Sequence, residues 1–216
     1  MWESMSRPTN IHVTSLGQSA ALSDIQVPNV IAPLDVIRVL NEAKVNFVLV
    51  GAHGLSGWIA EPRATQDVDV VVMTKHLKRA SQSLIAAFKQ LEADDEPAVI
   101  RFRDRASGVI AIDVLKQREL YRQAFKHTRS VTASGQTYKI PSLEMALTMK
   151  FAAMVSPNRA DADRFQDAHD FILMVKANAK KDRKKLIELG DLVCADGSEQ
   201  LLEMVRKVEA GEKLVL

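Results

Sequence analysis

The chain has 216 residues, 47% hydrophobic and 26% charged, and its 29 Lys and Arg nearly balance 27 Asp and Glu for a formal net charge of +2. These values are ordinary for a soluble globular protein and leave no single-sign field, so any nucleic-acid binding has to come from a local patch. Cys194 stands alone and excludes an intramolecular disulfide framework, and no apolar run approaches the ~18 residues of a membrane span. With no secretory apolar segment at the N-terminus, the expectation is a soluble, cytoplasmic protein.

Residues 1–30 are rich in Ser, Thr, Asn, Gln and Pro and lack sustained periodicity, which predicts a loose arm with Ile11 and Val13 as its docking point. Pro33 to Ala43 places apolar residues at helical spacing. A strand is expected at 46–50, then a short helix at 52–59. The loop Glu61-Pro62-Arg63 delivers a strand carrying Asp67 and Asp69. From His76 to Leu91 the spacing of Leu77, Ala80, Leu84, Ala87, Phe88 and Leu91 predicts an amphipathic helix. Residues 98–103 and 109–115 read as a hairpin around the turn 104–108, and 128–132 with 136–140 as a second pair around Ser134-Gly135. Beyond Pro141 the pattern becomes helical at 142–155, 160–178, 182–194 and 198–209. The chain therefore divides into an arm (1–30), an α/β core (31–140) and a helical region (141–216). The expected class is α+β, with a small mixed sheet, flanking helices and an all-helical C-terminal region.

The chemistry concentrates after the first strand. On a period-two strand Asp67 and Asp69 project from one face, with Val68 and Val70 pointing the other way. Two adjacent carboxylates repel unless a cation lies between them, and hard oxygen ligands of this kind suit Mg²⁺, with Mn²⁺ as its substitute. Gly51 stands where a strand feeds a helix, a place where free backbone N–H groups hold phosphate. Asp113 lies on the second hairpin strand and reaches the same face if that strand neighbours the Asp67–Asp69 strand. Three acids allow two ions ~3.5–4 Å apart, a geometry suited to nucleotidyl transfer.

The residues Val48-Leu49-Val50-Gly51-Ala52-His53-Gly54, continued by Arg63-Ala64-Thr65-Gln66-Asp67-Val68-Asp69, resemble the nucleotidyltransferase superfamily with the polymerase-beta-type palm. The resemblance is strongest to minimal bacterial members, including nucleotidyltransferase-like toxins of abortive-infection systems, and runs from about Val45 to about Met174. It implies that Gly51 and Ala52 face a nucleoside triphosphate, that Asp67 and Asp69 take metal ions, and that Asp113, in Ile112-Asp113-Val114-Leu115, is the third acid. Arg63 and Thr65 belong to the same Arg-x-Thr-x-Asp-x-Asp pattern. Pro141 to Lys150 is similar to the family helix whose Lys contacts phosphate. Arg164 to Asp170 is similar to a segment usually reading Lys-Asp-x-x-Asp, which makes Asp167 the candidate for assisting the acceptor hydroxyl. The chain departs from the pattern at Ala52, where a Gly or Ser is common, and at Gln166, which replaces a frequent Lys. The resemblance also implies a protein partner of the toxin–antitoxin kind. It leaves the acceptor open among a protein hydroxyl, an RNA end and a small molecule.

Each residue also has a plainer reading. Asp113 on an edge strand discourages aggregation, Lys150 on an apolar helix snorkels to solvent, and Arg63 braces the loop it sits on. Asp163, Asp167 and Asp170 share a helical face that solvent alone accounts for. The five His show no ligand spacing, and the basic residues 176–185 lack the interleaved aromatics of a nucleic-acid surface. An inert nucleotidyltransferase-fold module that binds nucleotide or a protein stands as the alternative to an enzyme.

Overall fold

A computed structural model describes residues 31–59 and 63–214, so the N-terminal arm, Glu61 and Pro62 lie outside the described residues. Helix α1 (Pro33–Glu42) starts with Pro at its first position, where the missing N–H costs nothing, and buries Val36, Ile37 and Leu40. It leads through β1 (Phe47–Leu49) into the short helix α2 (Gly51–Leu55) and then to β2 (Val68–Val72). Helix α3 (Leu77–Ala87) precedes β3 (Leu91–Asp95), β4 (Val99–Asp104), β5 (Ile110–Lys116) and helix α4 (Glu119–Ala124). A two-stranded ribbon of β6 (Thr128–Ala133) and β7 (Gln136–Pro141) closes the α/β half. The helices α5 (Leu143–Met154), α6 (Asp161–Ala177), α7 (Arg183–Gly190) and α8 (Gly197–Glu209) complete an α+β chain.

The main sheet is five-stranded in the order β1-β2-β5-β4-β3. All neighbours are antiparallel except β2 and β5, which run parallel. The run Val68-Asp69-Val70-Val71-Val72 suits a central strand covered on both faces, where β-branched side chains pack against the pleat. One face of the sheet presents Val68, Val70, Val72, Ile112, Val114, Ile100 and Phe102 to a core shared with α1 and α3. The opposite face carries Val48, Val71 and Leu115 against Tyr121, Phe125 and Met149 of the α4 and α5 region. The acids of β2 and β5 lie at the alternating positions of this second face.

A second apolar core forms where α5 and α6 pack together and against α7 and α8, around Leu147, Phe151, Phe171, Met174, Leu186 and Leu201. Ser142 caps α5, its Oγ accepting from the Met145 N–H. Trp58 packs against both cores. Its Nε1–H donates to the Pro141 carbonyl at 2.9 Å, and its own carbonyl accepts from Asn178 Nδ2 at 2.7 Å. Among the described residues no helix is long and apolar enough to cross a membrane.

The second expected hairpin appears as β6 and β7, and the first as β4 and β5. Four segments differ from the sequence reading, the first being α2, expected to reach residue 59 and ending at Leu55. The helix expected to reach Leu91 ends at Ala87, and β3 follows. Only Leu91 of β3 is buried; its other four residues are exposed on an edge strand, so no alternation marks it. Helix α4, at six residues, is too short to show a helical period, and no element is assigned there from the sequence. Helix α7 stops at Gly190 rather than near Cys194, because its backbone lies against Gly197 and Ser198 at the start of α8, where a side chain would collide.

Trp58→Phe keeps the aromatic packing but removes the hydrogen bond to Pro141. It is expected to cost about 1 kcal/mol, lowering Tm by roughly 2–4 °C, a shift that differential scanning calorimetry resolves.

Candidate active site

The parallel pairing of β2 with β5 sets Asp69 directly opposite Asp113. Asp67 precedes β2 by one residue, so it sits at the strand entrance rather than within the strand. It accepts a hydrogen bond from the Thr65 hydroxyl, which orients the carboxylate. Antiparallel β4 then places Arg101 opposite Asp113 on the other side. The Arg101 Nε stands 3.8 Å from Asp113 Oδ1, beyond hydrogen-bond reach, while its Nη1 donates to Glu96 Oε1 at 2.6 Å. Among the described residues, Asp113 Oδ1 and Arg101 Nε are both buried with no hydrogen-bond partner. An orphaned carboxylate oxygen beside two other acids is the donor arrangement a hard cation takes.

Burial dominates the electrostatics of the two facing acids. Asp69 is pushed up to about 7, first by burial, then by Asp67 and Asp113, with Lys150 and Arg159 pulling the other way. Asp113 is raised to about 6, again mainly by burial, with Arg101 opposing and Asp67 and Glu96 adding to the rise. The carboxylates therefore repel through a poorly screened medium. Among the described residues no three acidic, His or Cys side chains converge tightly enough to ligate one ion. The mutual influence of Asp67, Asp69 and Asp113 still places them within electrostatic reach, and Asp67 is turned towards Thr65, so shared ligation requires a side-chain rotation there.

Gly51 packs against this group. Its φ is +59°, and a Cβ there would overlap the Asp69 carboxylate, so only glycine satisfies both the backbone and the close approach. Ala52 follows, buried, in the first turn of α2. His53, next in α2, has its pKa lowered by burial, with Asp67 opposing and Arg63 adding to the fall.

The helical half supplies a second group of charges. Lys150 donates to Asp167 Oδ1 at 2.7 Å and to Asp170 Oδ2 at 2.6 Å. Both acids are buried, at 3% and 0% exposure. Arg159 Nε donates to Asp167 Oδ2 at 2.5 Å, and Arg63 Nε lies 3.5 Å from Asp170 Oδ1. Lys150 is thus committed to α6 rather than to an open surface, and both Asp167 oxygens are taken. Each oxygen of Asp167 accepts one of these bonds, which ties the acid to α5 and to the loop before α6. Arg63 sits on the loop leading to Asp67 and reaches the helical half, the bracing arrangement.

A cleft of about 500 Å³ opens between the two halves, lined among others by Arg101, Tyr121, Met149, Ala153, Arg159 and Asp163. Tyr121 has its pKa raised by burial and then by Asp69, and its ring packs on the sheet face of Val48 and Val71, the face that also carries Asp69. Arg101, Tyr121 and Arg159 were not singled out from the sequence. For Arg101 a signal existed: it alternates with Ile100 and Phe102, so it shares a face with the strand's acid-facing side. Arg159 lies in a loop and Tyr121 in the unread α4, and no periodicity marks either.

No family model and no curated protein matches the chain by sequence. Among solved structures, an antigenic nucleotidyltransferase-like protein from Paracoccidioides brasiliensis is similar, with a TM-score of 0.53 at 19% identity over 83% of this chain and 91% of that one. The antibiotic-resistance factor ANT(2'')-Ia has a TM-score of 0.48 at 12% identity, covering 83% and 92% of the two chains. The lincosamide antibiotic adenylyltransferase LnuA, bound to lincomycin, has a TM-score of 0.45 at 12% identity, covering 64% and 92%. The chain has the nucleotidyltransferase fold.

The raised acids make stability pH-dependent. Between the ordinary carboxylate range and about 7 the folded state holds protons on Asp69 and Asp113 that the unfolded chain has released. Without divalent cations, Tm should therefore be highest near pH ~4 and fall as pH rises to ~7.5, and Asp69→Asn should flatten that decline. Thermal melts across this range in chelator check it; a wild-type Tm that rises over the same interval contradicts the assignment of burial and repulsion.

Proposed function

We propose that this chain is a divalent-metal-dependent nucleotidyltransferase, moving a nucleoside monophosphate from a nucleoside triphosphate to a hydroxyl acceptor. The observation that carries this reading is the register of β2 against β5, which faces Asp69 with Asp113 on a buried sheet surface. Asp67 and Asp69 would hold the metal, with Asp113 completing the acid set, and Thr65 would orient Asp67. Gly51 and Ala52 stand where the triphosphate approaches, the absence of a side chain at Gly51 leaving room beside Asp69. Mg²⁺, or Mn²⁺ in its place, would supply charge neutralisation at the phosphates and a lowered pKa for the attacking hydroxyl. The acceptor oxygen bonds to the α-phosphorus as the bond to pyrophosphate breaks, and the hydroxyl proton passes to solvent water. The chain's own contribution is positioning and preorganised charge.

The acceptor stays open among a protein hydroxyl, an RNA end and a small molecule. A role beside a toxin–antitoxin or phage-defence partner follows only from the sequence resemblance. One observation favours the rival reading, a module that binds nucleotide or a protein without turnover: Lys150 and Asp167, the residues expected to contact phosphate and acceptor, are closed into an ion cluster.

Isothermal titration of each nucleoside triphosphate with Mg²⁺ separates the two. The transferase reading expects metal-dependent binding that Asp67→Asn/Asp69→Asn weakens by about two orders of magnitude, and metal-dependent turnover of labelled nucleotide once an acceptor is present. Metal-independent binding that survives the double substitution favours the inert module. Gly51→Ala, which forces Asp69 aside, is expected to lower metal affinity about tenfold or more, read by Mn²⁺ titration.

A further inference from the structure

Arg159 lies in the loop between α5 and α6, on the wall of the cleft, with its side chain 42% exposed. One edge of its guanidinium is held: Nε donates to Asp167 Oδ2. The other oxygen of Asp167 accepts from Lys150, so the acid is gripped from both sides and kept from rotating. Among the described residues neither Nη of Arg159 makes a hydrogen bond. It lines the same cleft as Tyr121 and as Arg101, which faces Asp113 from β4, and its charge is felt at Asp69 and Tyr121. A guanidinium anchored through Nε keeps its Nη pair preorganised for bidentate contact with phosphate oxygens.

Resting on the nucleotidyl-transfer reading, we propose that Arg159 is the phosphate-binding residue of this cleft, taking the polyphosphate chain of the nucleotide, and that Asp167 is its positioning residue. Lys150 then acts at one remove. It offsets the charge of Asp167 and Asp170, so that the acid holding Arg159 does not cancel the field the arginine offers to an anion. A phosphorylated acceptor is the other source of the same chemistry, and the test distinguishes it.

The experiment is calorimetric titration of the full chain with Mg²⁺-tripolyphosphate and with glycerol phosphate, alongside Mn²⁺ alone. The proteins are wild type, Arg159→Gln, Arg159→Lys, Asp167→Asn and the Arg159→Gln/Asp167→Asn pair. Arg159→Gln is expected to weaken tripolyphosphate binding about tenfold or more, with partial recovery in Arg159→Lys and Mn²⁺ affinity unchanged or tighter. Asp167→Asn should weaken tripolyphosphate binding when Arg159 is present and add nothing when it is absent, a non-additivity that a merely structural role does not produce. Tripolyphosphate binding by Arg159→Gln equal to wild type overturns the proposal, and this variant of an exposed loop residue does not depend on how well Asp167→Asn folds. A loss confined to glycerol phosphate overturns the polyphosphate assignment in favour of an acceptor phosphate. Wild type that binds Mn²⁺ but no tripolyphosphate overturns this inference alone, whereas wild type that binds neither overturns the nucleotidyl-transfer reading with it.

Discussion

The pairing of β2 with β5 is the constraint on which the rest of the site depends. It is the parallel contact in a sheet whose other neighbours are antiparallel, and it puts two carboxylates face to face on a largely buried surface. Burial raises both acids, and Asp67 adds to the rise of each through a medium that screens little. The apolar side of the same strands opposes that penalty. Val68, Val70, Ile112 and Val114 pack under α1 and α3, and a register slip of one residue would exchange them with the acids. The same hydrophobic alternation that stabilises the sheet therefore holds Asp69 and Asp113 together.

The helical half handles its charges differently. Lys150, Asp167 and Asp170 are buried, but each has a partner, and the two acids extend the cluster to Arg159 and Arg63. Buried ion pairs of this kind contribute little net stability against well-packed apolar side chains; their effect is to specify geometry. Here the geometry joins four segments: α5, α6, the loop between them, and the loop that enters β2. The acids on the sheet are left in mutual repulsion, and those on α6 are fully neutralised.

Much of the fold was legible because its elements are long enough to show a period. The hairpin of β4 and β5 and the ribbon of β6 and β7 follow from alternation broken by Gly-containing turns, and α5 and α6 from helical spacing. β3 and α4 escaped, the first as an exposed acidic edge with one buried residue, the second as six residues without a repeat. Both matter to the site's surroundings: β3 completes the sheet beside Arg101's strand, and α4 carries Tyr121 to the cleft. Lys150 and Asp167 were visible as residue types in suggestive contexts. Their partners, 17 residues apart in sequence, follow from how α5 and α6 cross, and local pattern is blind to that.

By itself the sequence determined the α+β class, the Asp67–Asp69 spacing and the glycine that the turn before α2 requires, since these depend on local periodicity and on backbone sterics. Tertiary structure alone decided that β5 lies parallel beside β2, so that Asp113 meets Asp69. It also decided that the charges of α5 and α6 pair with one another and so leave Arg159 on the cleft wall. The physical reason is that strand order and helix crossing are set by how whole apolar faces bury against each other. Every one of these pairings joins residues that are distant in the chain.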